Sequence, residues 1–69
     1  MRNLLDRLKP EYKAKLKQLE STYPATIEEI YSNLTKFNFY TELRFGTAAV
    51  LCSLLDVTLS NFLDLFDEK

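Results

Sequence analysis

Apolar residues recur at Leu5, Leu8, Tyr12, Leu16, Leu19 and Tyr23, in steps of three or four that hold them on one helical face. Lys9, Lys13 and Lys17 fall opposite, as a solvated face requires. Pro10 interrupts the hydrogen-bond ladder but suits the first turn of a helix. The main first helix is therefore predicted over 10–21, after a looser turn at 3–8; one long helix kinked at Pro10 is the alternative. Tyr23 ends it, because the residue before a proline, here Pro24, is pushed out of the α region.

Thr26 and Glu29 have the spacing of a capping box, which opens a second helix with Ile27, Ile30, Tyr31 and Leu34 as its apolar face. Residues 35–37 read as a tight connection. A third short helix is predicted over 38–45, with Asn38 as its N-cap and Gly46 as a left-handed C-cap. Thr47 caps a fourth helix over 48–55, where Val50, Leu51, Leu54 and Leu55 recur at helical spacing. Asp56 and Val57 turn the chain. Thr58 then caps a fifth helix, with Val57 and Phe62 placed as a hydrophobic staple around it. Leu59, Phe62, Leu63 and Phe66 form its inner face, and 67–69 are expected to fray. The pattern predicts an all-α fold, one domain over 1–69 built as a compact bundle of about five short helices.

Composition agrees with helices and narrows the chemistry. The 69 residues are 46% hydrophobic and 28% charged, which suits a folding domain rather than a disordered tail. Gly occurs once and Pro twice, too few for a turn-dense β architecture. A chain this short buries only about 60% of its unfolded surface, so its core is thin. His is absent and Cys52 is the only cysteine, so no soft metal site, His-based catalytic dyad or internal disulfide is expected. Neither an enzyme nor a cofactor is expected. Cys52 lies among apolar neighbours and reads as a small buried hydrophobe. Glu28 and Glu29 are consecutive, so their carboxylates diverge; first-turn acids favoured by the helix dipole explain them. No apolar run approaches the roughly 18 residues of a membrane span, and no signal-peptide core opens the chain. No membrane partner is expected, and the expected compartment is the cytoplasm.

The net charge of −1 conceals an asymmetry. Residues 1–20 carry six basic side chains against three acidic ones, a local +3. The remainder carries three basic against seven acidic, a local −4. DNA-binding domains usually have a basic patch and a high pI. Here the pI is about 5.3 and only Lys9, Lys13 and Lys17, with their neighbours, offer a phosphate-facing or acid-binding surface.

The order and length of these helices resemble the Cro/CI-type helix-turn-helix domain of phage regulators. Residues 52–62, CSLLDVTLSNF, resemble the join of that family's fourth and fifth helices, and residues 26–30, TIEEI, resemble the start of its second. The resemblance covers roughly residues 12–66. Two positions depart from it. Tyr31 stands where the family has a small residue, and Thr35 opens the turn where the family has glycine, with the turn one residue short.

With Tyr40 and Leu43 as the buried pair of the third helix, Asn38, Phe39, Thr41, Glu42 and Arg44 point outward. A DNA-reading face wants Arg, Lys, Gln, Asn or Ser aimed at base edges. One arginine, one asparagine, an acid and a bulky Phe suit a protein partner better. This brings the chain closer to the small phage antirepressors, or modulators of repression. That resemblance implies a regulator that binds a repressor's DNA-binding domain in a bacterial host cell and occludes its DNA-contacting face through Asn38, Phe39, Thr41, Glu42 and Arg44. The alternatives are a Cro-like DNA-binding dimer using Arg44, Asn38 and the first-helix lysines, or a small helical inhibitor of a host enzyme or antitoxin.

Overall fold

A computed structural model describes residues 2–67. Four α-helices are present among them: α1 (Leu4–Arg7), α2 (Pro10–Leu19), α3 (Pro24–Lys36) and α4 (Phe45–Leu55). Two 3₁₀ segments, Tyr40–Glu42 and Leu59–Leu65, complete the chain. The described residues contain no strand beyond one isolated antiparallel bridge, Leu8 to Phe66. The fold is all-α.

Asn3 starts α1 by accepting the Asp6 N–H at 2.9 Å, while the Asp6 carboxylate accepts the Asn3 N–H. This capping box satisfies donors that a helix start leaves orphaned. The helix stops after one turn because Leu8 and Lys9 are extended ahead of Pro10. The first helix is therefore separated from the turn before it, not kinked. Pro10 occupies the first turn of α2, which ends at Leu19, two residues sooner than expected.

The second helix begins at Pro24, not Thr26. Proline at the first helical position is pre-set in φ and lacks only an N–H that would be orphaned there. Thr26 consequently lies within the first turn, and no side-chain cap forms. The helix also absorbs residues 35–36, expected as connection. Thr35 donates its hydroxyl to the Tyr31 carbonyl at 2.6 Å, and Asn33 donates its amide to the Glu29 carbonyl at 2.9 Å. Ile27, Ile30 and Leu34 are buried, as their spacing predicts.

The expected third helix reduces to one 3₁₀ turn. Phe39 is extended, and the Glu42 carboxylate accepts the N–H groups of Phe39 at 3.1 Å and Asn38 at 3.3 Å. Aromatic, β-branched and Asn residues are weak helix formers, and the apolar positions of 38–45 do not share one face. Leu43 packs on the core, but Tyr40 is exposed, so the expected buried pair does not form. Because α4 starts at Phe45, Gly46 sits in its first turn with an ordinary φ and is no left-handed cap. That conformation belongs to Asp56, at φ 59° and ψ 43°. There the Val57 N–H reaches back to the Cys52 carbonyl at 3.0 Å, closing the helix end.

Within α4, Ala48, Leu51, Cys52 and Leu55 are buried, Leu54 is half-buried, and Val50 is exposed rather than inward. The fifth helix is 3₁₀, with three residues per turn. That period puts Phe62 and Leu65 on one face and turns Leu63 to solvent, while Leu59, the first residue of the segment, is exposed as well. Thr58 makes no backbone cap; its hydroxyl lies 2.9 Å from that of Ser60. Phe66 follows as extended chain, buried, edge-on to Phe62 at 5.4 Å between centroids.

The core joins Leu4 and Leu8, Leu16, Ile27, Ile30 and Leu34, then Leu51, Cys52, Leu55, Leu65 and Phe66. Among the described residues no polar or charged side chain is buried with them. The first and last described segments meet where the Lys9 N–H donates to the Leu65 carbonyl, and the Leu4 N–H ties the first turn to mid-chain by donating to the Phe37 carbonyl, each at 2.9 Å. Asp67, expected to fray, is tied to Arg7 by backbone at 2.7 Å, while 68–69 lie outside the described residues.

Candidate interaction surface

The residues singled out between 38 and 44 stay together, but on a turn. Phe39 is 51% exposed and Tyr40 40%, and Thr41, Glu42 and Arg44 are exposed beside them. Asn38 is half-buried; its carbonyl accepts from an Arg7 guanidinium nitrogen at 3.1 Å, so it anchors the turn more than it faces a partner. Glu42 has a structural duty as well, since its carboxylate holds two backbone N–H groups. Its negative charge nevertheless remains at the surface.

The lysines of α2 do not act as one set. Lys9 caps the helix and is half-buried, and Lys13 donates from Nζ to the Asp6 carbonyl at 3.3 Å, where Arg2 also donates at 2.6 Å. Lys17, exposed in the last turn of α2, is favoured by the helix dipole. The basic charge of this segment is thus partly turned onto its own backbone.

A second feature was not evident from the sequence. Between α3 and α4 lies an open groove of about 260 Å³, lined by Thr26, Glu29, Ile30, Gly46, Thr47 and Val50. Ile30, which is buried, forms its apolar floor. A Cβ placed on Gly46 would meet nothing within 4 Å. Phe45, next in the chain, is 73% exposed, the most exposed large apolar side chain among the described residues. The sequence signal was present in the adjacent Phe45 and Gly46, but the expected helix boundary concealed it.

Burial pushes the Cys52 thiol above its ordinary pKa, which keeps it protonated and a poor nucleophile. Burial, and secondarily the nearby Glu20, raises Tyr31. Among the described residues no three His, Cys, Asp or Glu side chains cluster as a metal set. No single described helix is long and apolar enough to cross a membrane. No protein-family model, curated protein or solved structure matches the chain.

Proposed function

We propose that this chain is a small regulatory protein that acts by binding, not catalysis. Its partner is the DNA-binding domain of a transcriptional repressor, whose DNA-contacting face it covers in the manner of the phage antirepressors it resembles. The observation that carries this reading is the turn at residues 39–44. It presents Phe39 and Tyr40 to solvent beside Thr41, Glu42 and Arg44, and aromatic residues flanked by polar ones are typical interface anchors. The acid of Glu42 suits the basic residues with which a repressor would otherwise meet phosphate.

Direct operator binding is the weaker reading. Helix-turn-helix proteins read bases with a helix laid in the major groove, and residues 40–42 form a single 3₁₀ turn. The lysines at 9 and 13 are engaged or half-buried, which leaves little concentrated positive charge for phosphate.

Calorimetry with the isolated DNA-binding domain of the cognate repressor tests the proposal. Phe39→Ala should leave the thermal midpoint nearly unchanged and weaken the complex by about 1–4 kcal/mol. Failure of the wild type to bind that domain overturns the proposal. So does nanomolar operator binding by the chain alone with a log–log salt slope of about −0.9 per phosphate.

A further inference from the structure

We propose that two copies of this chain associate about a two-fold axis, the Phe45 ring of each entering the α3/α4 groove of the other. This goes beyond the repressor reading and does not rest on it. Phe45 contributes little to its own core, being 73% exposed. It is not among the residues that line the groove, although its chain neighbour Gly46 is. The groove, about 260 Å³, is roomy for one ring, since an apolar cavity of about 150 Å³ already holds benzene. Gly46 leaves the space that a side chain would occupy.

Charge identifies the occupant. Arg44 precedes Phe45 and is exposed, and Glu29 stands at the groove with Glu28 beside it, exposed on α3. Neither Arg44 nor Glu29 has an ion-pair partner among the described residues. A segment that fits the groove should carry an aromatic ring with a cation next to it, and this chain presents that pair itself. Phe45 adjoins Gly46 of the groove wall in the chain, so ring and groove are near enough for a two-fold operation to engage both at once and close the assembly. A ring remote from its groove would propagate into a filament instead. With Phe45 and Val50 as the main apolar contacts, the buried area falls below the roughly 1,200 Å² of stable complexes, and the dimer is weak.

Sedimentation equilibrium of the purified chain, from about 10 μM to 1 mM, suits a contact of that size. A reversible monomer–dimer equilibrium is expected. Phe45→Ala should raise its dissociation constant at least about tenfold. Glu29→Arg and Arg44→Glu should each weaken it about three- to tenfold, and the two together should restore it to within about twofold of wild type. All three substituted positions are exposed, so circular dichroism should report an unchanged fold. A wild type that stays monomeric throughout, a dimer indifferent to Phe45→Ala, or a double variant no tighter than the single ones overturns the proposal.

Discussion

Arg7 and Asp67, sixty residues apart, hold each other by two reciprocal bonds. The Asp67 N–H donates to the Arg7 carbonyl at 2.7 Å, and Arg7 Nε donates to the Asp67 carbonyl at 3.2 Å. The same guanidinium reaches the Asn38 carbonyl at 3.1 Å. One side chain thereby fastens the first turn, the last described residue and the start of the exposed turn. Arg7→Ala should destabilise the fold by about 1–3 kcal/mol in urea unfolding, the range for hydrogen bonds with one charged partner. Arg7→Lys should recover less than half, because a single ammonium lacks the planar fork needed to span both carbonyls. Equal stability of Arg7→Lys and wild type would contradict this role.

Asp56 ends α4 in the left-handed region, where a side chain costs roughly 1 kcal/mol. Its carboxylate also sits at the negative end of the helix dipole. Asp56→Gly should therefore stabilise the chain by about 0.5–1.5 kcal/mol, read as a raised thermal midpoint. Asp56→Asn separates the two causes, since it removes the charge and retains a side chain that tolerates this conformation.

Leu51 and Leu54 lie on the same helix at different depths. Leu51 is fully buried, and Leu54 is half-buried against the core. Leu51→Ala should cost about 2–5 kcal/mol, transfer and cavity terms together, whereas Leu54→Ala should cost about 1–2 kcal/mol through lost apolar area alone. Chemical denaturation of the two variants side by side checks the order.

The buried thiol sets an alkaline limit. Folding raises the pKa of Cys52, so the unfolded chain loses its proton first as pH rises. The stability held by the protonated thiol is complete below the unfolded value, about 8.5, and is lost as pH climbs through the folded value. Tyr31 adds a loss of the same sign at higher pH. The urea midpoint should be flat across this range's acidic side and decline beyond it. Cys52→Ala should remove the earlier part of that decline, and an unchanged pH profile in that variant would exclude the thiol as its cause.

The periodicity of the sequence identified much of the core, including Leu16, Ile27, Ile30, Leu34, Leu51 and Leu55, because these positions obey helical spacing within single elements; Leu8 is buried too, but from the extended link before α2. It misplaced Leu63 because a 3₁₀ segment turns every three residues, so Leu65 shares the inward face with Phe62 instead; Leu59, which opens the segment, is exposed as well. The left-handed residue was expected at Gly46, the residue type that adopts it most easily, yet α4 starts one residue earlier and Asp56 carries it instead. Phe39 was legible as exposed. The groove beside Phe45 was not, because it joins residues 26–30 to 46–50, and only tertiary packing brings those together. The Arg7 clamp was hidden for the same reason.

The buried pair Leu65 and Phe66 also constrains how the chain can be made. Leu4 and Leu8 share their cluster, and the Leu8 backbone pairs with Phe66. On a translating ribosome the first turn must wait, half-assembled, for partners synthesised nearly sixty positions later. Earlier elements cannot lock into place one by one as they emerge, so the nascent chain stays open to chaperones and proteases until residue 66 is free. A frameshift or nick a few residues upstream of Leu65 would then yield no shortened folded protein at all, only a substrate for degradation.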